Sequence, residues 1–463
     1  MNLLVVVADT FRADYLGCDG NAWIQTPNLD QMAAEGIRFN DFYAEALPTL
    51  PVRRVFYTGR RCFPFRYYPQ KSDMVQLPGW HPLFDEDVTL AEWLRELGYC
   101  TGLISDVYHQ FKPGKNFHRG FHSWQWIRGQ EQDALVPTPD PDVDLSGYAE
   151  DRYEENDPRR RMAAQYLNNR AWWSEEADHY GAQVLGAASD WLEQYGHKRP
   201  WMLWVESFDP HEPWDAPKEL ADAYLPGYEG PEVIFAQPFA AKHTPEEVAR
   251  IKAHYAGECT LIDRWMGRLL GTLRQQNLLD DTIVVFTSDH GCMMGEQGEI
   301  HKGADRVRIQ VSRCPLIIRH PDPQYAGRVV DGFVQHQDLM PTLLKLAGEA
   351  VPERCNGEDF WPLVTGERTG GLRDYAVSAF GWYACVRNAR WAYHTPWIKL
   401  ENPRPAELYD READPDELVN VIGEHPEVAR ELDEVLRAYI GDFEVGGTVG
   451  TGETPAAIPG LKW

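Results

Sequence analysis

Three short apolar runs divide the chain, and each is rich in β-branched or aromatic residues. They cover residues 2–8, 202–205 and 282–287. Runs of this length and composition are typical of strands that are buried on both faces of a sheet. The chain is therefore expected to contain a sheet that is covered by other elements on both sides.

Helical patterns fill much of the sequence between these runs. Thr89 precedes one pattern, which ends at Gly98. Residues 244–247 read Thr-Pro-Glu-Glu, a capping box with proline at the first helical position, and they open a long helix toward Leu278. Strands that alternate with helices predict an α/β fold with a mainly parallel central sheet flanked by helices.

The pattern changes after residue 365. Residues 375–379, 384–387 and 391–393 predict short strands, and residues 426–439 predict a helix. Residues 1–365 are thus expected to form the main domain. Residues 366–463 are expected to form a smaller α+β subdomain with a small antiparallel sheet, a helix and a glycine-rich tail from Gly446. Residues 129–174, polar and rich in proline and charge, predict a long insertion.

Composition limits the partners that the protein can have. The 463 residues are 43% hydrophobic, which is enough for a large core. The formal net charge is -26, and nucleic acid and anionic membranes both need an attractive positive field. Neither is expected as a partner. A small anionic substrate would need a locally positive pocket, and homo-oligomerisation stays open.

Cysteine usage and the N-terminus bear on the compartment. The eight cysteines are scattered and form no C-x-x-C pair, which argues against a zinc knuckle or a redox motif. The N-terminal apolar run has no basic region before it and ends at Asp9, too early for a signal peptide. A cytoplasmic protein is expected.

Polar residues follow two of the predicted strands. Asp9 comes directly after the first apolar run, and Asp289 and His290 follow the third. Because ligand sites of such sheets lie beyond the carboxyl ends of the strands, these two carboxylates and one imidazole indicate a divalent metal site. The alternative is that Asp9 caps a helix and Asp289 is an ordinary loop carboxylate.

A further motif carries a resemblance to a known family. Thr49-Leu50-Pro51-Val52-Arg53 is followed, after four residues, by Thr58-Gly59-Arg60. This resembles the Cys/Ser-x-Pro-x-Arg and Thr-Gly-Arg motif of the sulfatase branch of the alkaline phosphatase superfamily. Other segments resemble the family in the same order along the chain: 9–17, 26–30, 208–213, 288–302, 336–344 and 407–415.

The resemblance implies an alkaline phosphatase-like fold and a set of roles. Thr49 would join Asp9, Asp289 and His290 as a metal ligand and attack sulfur or phosphorus in line, since a hydroxyl needs a metal to stabilise its alkoxide. Arg53 would stabilise the alkoxide and the charge on the transferred group. The resemblance further implies roles for two more side chains. Lys302 would bind substrate oxygens. His211 would either do the same or protonate the leaving oxygen.

The chain departs from the family pattern at two places. Sulfatases convert cysteine or serine at the nucleophile position to formylglycine, but threonine cannot yield that aldehyde, so no formylglycine is expected. The family's Gly-Lys-Trp-His segment is also missing, and residues 105–109 read Ser-Asp-Val-Tyr-His. Tyr108 or His109 is then the candidate for substrate binding, and Lys112, Lys115 or His118 could restore positive charge.

These departures favour a phosphate diester or phosphonate monoester as substrate, because water can displace a phosphorylated threonine. A sulfatase that works without formylglycine is the alternative of the same fold, and an inactive anion-binding protein is the alternative of another class. The imidazole of His290 favours manganese, zinc or iron as the single divalent ion, and calcium stays open.

Overall fold

The structure is a computed structural model that describes residues 1–66, 75, 77–111, 114–137, 143–305 and 307–441. The tail predicted from Gly446 and the candidate Lys112 lie outside the described residues.

Within the described residues, the strands in chain order are β1 Asn2–Ala8, β2 Ile37–Phe39, β3 Phe42–Tyr43, β4 Ala46–Leu47, β5 Cys100–Ser105, β6 Ser123–Trp126, β7 Trp201–Ser207, β8 Thr282–Thr287, β9 Met293–Met294, β10 Ile300–His301, β11 Leu316–Arg319, β12 Arg328–Val330, β13 Val334–Gln335, β14 Ala376–Phe380, β15 Tyr383–Arg387, β16 Trp391–Pro396 and β17 Glu407–Asp410. The α-helices are α1 Pro27–Ala34, α2 Thr49–Thr58, α3 Leu90–Glu96, α4 Pro158–Asn169, α5 Tyr180–Tyr195, α6 Lys218–Tyr224, α7 Pro245–Gln275, α8 Ile309–Ser312, α9 Leu339–Leu346, α10 Trp361–Thr365 and α11 Pro426–Ile440.

The large sheet confirms the predicted α/β architecture. Its eight strands lie in the order β12-β2-β11-β8-β1-β7-β5-β6. The run β8-β1-β7-β5-β6 is parallel throughout, and β11 is antiparallel to both of its neighbours. The carboxyl ends of β8, β1, β7 and β5 therefore meet side by side at one edge of the sheet, where a ligand site is expected.

Alternate residues of β1 enter two different cores, one on each face of the sheet. Leu4 and Val6 belong to a core that includes helices α5 and α7. Leu3, Val5 and Val7 belong to a second core that includes α2, α3 and α9. Side chains of a strand point to opposite faces in turn, so a strand covered on both sides is apolar on both faces, as β1 is from Leu3 to Ala8.

Two helix starts follow from the sequence. The Thr89 hydroxyl accepts a hydrogen bond from the Glu92 backbone N–H, and the Glu92 carboxylate accepts one from Thr89 N–H, at the start of α3. The same reciprocal pair, Thr244 with Glu247, opens α7. Both pairs satisfy backbone N–H groups that have no partner inside the helix, which is why these helices begin where the capping boxes predict.

The segment 129–174 contains a helix that was not predicted. Asp157 caps α4 by accepting a hydrogen bond from Arg159 N–H, and Pro158 occupies the first helical position. Ala163 and Leu167 of α4 are buried in the core that includes α5 and α7. This part of the predicted insertion is therefore packed into the main domain, because its few apolar residues share one helix face.

The small sheet draws strands from both ends of the chain. Its order is β17-β16-β15-β14-β4, with β14 to β17 antiparallel as predicted. Strand β4 is parallel to β14 and pairs Ala46 with Ala379 and Leu47 with Phe380. Pro48 alone separates β4 from α2, which begins at Thr49. The strand that leads to Thr49 is therefore part of the C-terminal sheet, and the boundary at residues 365 and 366 stays a prediction.

All eight cysteines are free thiols. Among the residues that the structure describes, no helix is both long enough and apolar enough to cross a membrane.

Candidate active site

Asp9, Asp289 and His290 lie together at the carboxyl ends of β1 and β8. All three side chains are fully buried, and one ligand atom from each lies within 4.8 Å of the others. Two hydrogen bonds fix Asp289: its Oδ1 accepts from Thr10 N–H at 3.0 Å and from His290 N–H at 2.8 Å. The adjacent position of β1 and β8 in the sheet is what brings these residues together.

The ring of His290 is arranged to offer a lone pair. Nδ1 donates to the carbonyl oxygen of Gly291 at 3.0 Å. Burial lowers the pKa of His290 to about 3, so the ring is neutral near pH 7. Nε2 is buried and has no hydrogen-bond partner among the described residues. A buried nitrogen that carries an unused lone pair between two carboxylates fits a metal ligand.

Arg53 lies at the centre of three carboxylates. Its Nη2 contacts Asp9 at 3.0 Å, its Nη1 contacts Asp289 at 2.8 Å, and its Nε contacts Glu206 at 2.5 Å; none of these side chains is exposed to solvent. Nη1 also donates to the backbone carbonyl of Thr49 at 3.0 Å. The guanidinium thus ties the predicted metal ligands to the backbone of Thr49, the predicted nucleophile, and its predicted role toward an alkoxide stays a prediction.

The charge of this cluster fits a divalent cation. Three carboxylates and one guanidinium carry a net charge of -2 in a fully buried volume, and a divalent ion would bring that charge to zero. Burial, together with the charge of Asp289, raises the pKa of Asp9 well above its ordinary value. A cation at the open side of these carboxylates would offset this unfavourable charge, so the residues present suit the predicted metal.

Thr49 begins helix α2 beside this cluster. Its φ of 21° is in the left-handed region, which a β-branched residue rarely adopts. The residue is 3% exposed. Its position at the first turn of a ten-residue helix also exposes it to the positive end of the helix dipole, which favours negative charge on the hydroxyl oxygen.

Lys302 and His211 are hydrogen-bonded to each other. Lys302 Nζ lies 2.7 Å from His211 Nε2 and 3.5 Å from Glu212 Oε2. His211 Nδ1 donates to the carbonyl of Glu212 at 2.6 Å. Burial lowers the pKa of His211 to about 4, so its Nε2 accepts the hydrogen bond and Lys302 carries the charge. Glu212, which the sequence did not single out, holds the lysine in this place.

Tyr108 and His109 both contact a residue of the predicted insertion. Tyr108 OH donates to Glu131 Oε2 at 2.6 Å, and His109 Nε2 lies 3.3 Å from the same oxygen. Asp106, which lies in the segment that departs from the family's Gly-Lys-Trp-His pattern, is fully buried and accepts a hydrogen bond from Phe208 N–H at 2.6 Å. Residues 105–109 therefore bring a buried carboxyl group and no lysine to this part of the site.

Of the three residues considered as substitutes for that charge, two are described. Lys115 is buried. His118 packs against Trp124 of the edge strand β6, with 4.9 Å between ring centroids. His118 thus belongs to an aromatic cluster at the sheet edge.

Glu206 is the site residue that the sequence could have revealed. Besides Arg53, it accepts hydrogen bonds from Tyr57 OH, Gln110 Nε2 and Trp204 Nε1 at 3.1, 2.7 and 2.8 Å. A glutamate inside an apolar strand is almost never buried unless it is paired, so its position in β7 was a signal. The predicted strand ended at residue 205 and left it out.

Comparisons with known proteins agree with this arrangement. The family model described as "Sulfatase" matches residues 1–349, and the one described as "N-sulphoglucosamine sulphohydrolase, C-terminal" matches residues 305–441. An arylsulfatase of Clostridium perfringens is 27% identical over 470 residues, covering 96% of this chain and 94% of the relative. The multifunctional alkaline phosphatase superfamily protein PehA of Trinickia caryophylli is 24% identical over 420 residues, covering 78% and 77%.

The fold has a close counterpart among solved structures. The phosphonate monoester hydrolase of Agrobacterium radiobacter superposes with a TM-score of 0.72 at 24% identity, covering 95% of this chain and 96% of that one. At this identity the likeness bears on the fold, and the fold is the alkaline phosphatase-like one that the sequence predicts.

Proposed function

Because the chain belongs to the sulfatase family of the alkaline phosphatase superfamily, we propose that this ester hydrolase cleaves a phosphate diester or a phosphonate monoester through a covalent intermediate on Thr49. The observation that carries the proposal is the identity of residue 49. Threonine has the hydroxyl needed for attack but cannot form the formylglycine aldehyde. A threonine ester of sulfate or phosphate must then be released by water, and this step is the ordinary one for phosphorus.

Four side chains would hold the metal: Asp9, Asp289, His290 and Thr49. A divalent ion bound there would supply the positive charge that lowers the pKa of the Thr49 hydroxyl. Arg53 holds the two aspartates and the Thr49 carbonyl in place, so the hydroxyl is positioned before substrate arrives. The start of helix α2 adds further stabilisation of an alkoxide.

Lys302 and His211 would act on the substrate side. Burial tends to lower the pKa of Lys302, but the charges of Glu212 and Asp9 raise it above the ordinary value, so the ammonium persists. It would bind the oxygens of the transferred group. As Thr49 attacks, its hydroxyl proton would leave to solvent, and the proton that Lys302 Nζ donates to His211 Nε2 would pass to the leaving oxygen, so that this pair ends the first step one proton short. In the second step, His211 Nε2 would accept a proton from the water that attacks the intermediate.

A sulfatase that works without formylglycine is the second candidate. It is supported by the similarity to sulfatases, among them the arylsulfatase of Clostridium perfringens. An inactive anion-binding protein is less well supported, because the site retains the full set of Asp9, Asp289, His290, Arg53 and Lys302. Such a protein would need only the positive groups that hold an anion.

The experiment is turnover by metal-free protein that has been reconstituted in turn with manganese, zinc and calcium. The panel contains aryl esters with one common leaving group: sulfate, phosphate monoester, phosphate diester and phosphonate monoester. Thr49→Ala is expected to lower turnover by roughly 10³-fold or more. Thr272→Ala, a buried threonine of α7 remote from the site, is the matched control.

Three outcomes separate the candidates. A phosphorus ester that turns over only with Thr49 present supports the proposal. Faster turnover of the sulfate, equally dependent on Thr49, refutes the phosphorus preference in favour of the second candidate. Binding of metal and of sulfate or phosphate without any turnover supports the inactive protein.

A further inference from the structure

We propose that Glu131 forms an anionic subsite beside His211, which binds a positively charged group on the alcohol part of the substrate. This inference rests on the proposed ester hydrolysis, because it describes the leaving group of the same site. The transferred phosphoryl group is anionic and is met by Lys302 and the metal ligands. A carboxylate repels that group, so Glu131 has to face the other half of the ester.

Glu131 presents one engaged oxygen and one open oxygen. Oε2 accepts a hydrogen bond from Tyr108 OH at 2.6 Å and lies 3.3 Å from His109 Nε2. No described residue donates a hydrogen bond to Oε1, and this oxygen is not among the fully buried ones that lack a partner. The side chain is 11% exposed. Oε1 is therefore accessible and still able to accept a hydrogen bond.

The carboxylate is ionised at neutral pH. Burial raises the pKa of Glu131, but the hydrogen bonds from His109 and Tyr108 bring it below the ordinary value. A full negative charge with an unused oxygen is a recognition element for a cation or a charge-assisted donor.

Glu131 and the catalytic groups share one wall. The ring of Phe208 stacks on His211 with 4.0 Å between centroids and lies 6.1 Å from the ring of His109. Because His109 Nε2 also lies 3.3 Å from Glu131 Oε2, this line of contacts joins Glu131 to His211. On its other side His109 meets Trp80 edge to face at 5.0 Å. Aromatic rings next to a carboxylate suit an alkylated ammonium group.

The position of Glu131 is fixed before any ligand binds. Gln130 Nε2 donates to Asp209 Oδ1 at 2.6 Å, which ties the segment to the loop that carries His211. Asn169 Nδ2 donates to the carbonyls of Gly129 and Asp133 at 2.8 and 2.7 Å. Glu131 itself has a φ of 49°, a left-handed conformation that these anchors maintain. A charge held in this way discriminates between ligands at little entropic cost.

The test uses three aryl esters whose phenols have closely similar acidity, because the group that differs in charge is separated from the ring by two methylenes: 2-(trimethylammonio)ethyl, its neutral isostere 3,3-dimethylbutyl, and 2-carboxyethyl. We expect the wild type to prefer the cationic ester over the neutral one by about tenfold in kcat/KM, the scale of one charge-assisted contact, and to disfavour the anionic ester. Glu131→Gln is expected to abolish this preference, and Glu131→Asp to retain its order. Glu155→Gln, an exposed acid of the same segment, is the matched control and should leave the preference unchanged.

A purely structural role of Glu131 gives a different result. If the residue only holds Tyr108 and His109, then Glu131→Gln lowers kcat/KM for all three esters by the same factor, and the subsite is refuted. Turnover of the neutral ester without any charge preference would likewise refute the subsite while leaving the hydrolase function intact.

If no ester turns over, the proposed hydrolase function fails, and the subsite is tested by binding. Calorimetric titration of the manganese-loaded protein with the three free phenols is then expected to give the same order of affinity, lost in Glu131→Gln. Equal affinity for the three phenols, or no binding of the cationic one, overturns the inference.

Discussion

Replacing Arg53 with glutamine tests whether its charge balances the buried carboxylates. In the metal-free protein the substitution changes the net charge of the cluster from -2 to -3, and in the protein with a divalent ion from 0 to -1. Removing one partner of a buried ion pair costs about 3–5 kcal/mol of unfolding free energy. We expect the metal-free variant to lose about that amount and the metal-loaded variant to lose less, because the cation compensates Asp9 and Asp289.

The two losses are linked through metal affinity. Their difference equals the change in the free energy of metal binding to the folded protein, and a difference of about 1.4 kcal/mol corresponds to tenfold tighter binding by the variant. Urea denaturation in the presence of a chelator and in the presence of Mn²⁺ gives both losses, and calorimetric titration with Mn²⁺ gives the affinity independently.

Arg54→Gln is the matched control for this measurement. Arg54 neighbours Arg53 in α2 and pairs with the buried Asp87 through hydrogen bonds of 2.8 and 2.9 Å, away from the metal ligands. Its substitution should cost the same with and without Mn²⁺. Weaker Mn²⁺ binding by Arg53→Gln, or equal losses in the two conditions, would refute charge balance and leave Arg53 as a residue that orients the ligands.

Three further substitutions test individual features. Thr244→Ala removes the cap of α7 and should lower the unfolding free energy by about 1 kcal/mol in urea; no change would mean that the cap is dispensable. Lys302→Met removes a positive charge from His211 Nε2, so an NMR titration should show the His211 pKa rising from about 4, and an unchanged pKa would contradict their pairing. Burial lowers the pKa of His336 to about 3, so the unfolded chain binds a proton that the folded one does not, and stability falls as pH drops from about 6.5 toward 3. His336→Phe should make this fall shallower by up to about 1.4 kcal/mol per pH unit, and an unchanged slope would contradict it.

Local signals made the main sheet and its ligand edge predictable. The runs that became β1 and β8 have the same bounds in the structure as in the sequence analysis, because strands covered on both faces must be apolar throughout. Asp9 follows β1 directly and Asp289 follows β8 after Ser288, so parallel pairing alone brings them to one edge. The capping boxes at Thr89 and Thr244 fixed the starts of α3 and α7 for the same reason: their signal lies within four residues.

Tertiary contacts produced what the sequence did not reveal. Glu131 comes close to His211 only because Gln130 reaches Asp209 and Asn169 reaches Gly129, and none of these pairs is close in sequence. Helix α4 was missed because the consecutive arginines 159–161 hide its apolar face. The pairing of β4 with β14 joins residues more than three hundred positions apart, and a two-residue strand carries no periodicity.

This last pairing has a consequence for protein engineering. A chimera that takes its C-terminal part from a relative replaces β14, the strand against which β4 aligns just before Thr49. The donor then contributes more than its own subdomain, because it sets the position at which Thr49, the proposed nucleophile, enters α2. A chimera that exchanges the C-terminal part should therefore keep the pairing of Ala46 with Ala379. Chimeras joined near residue 365 should be screened first for this strand register.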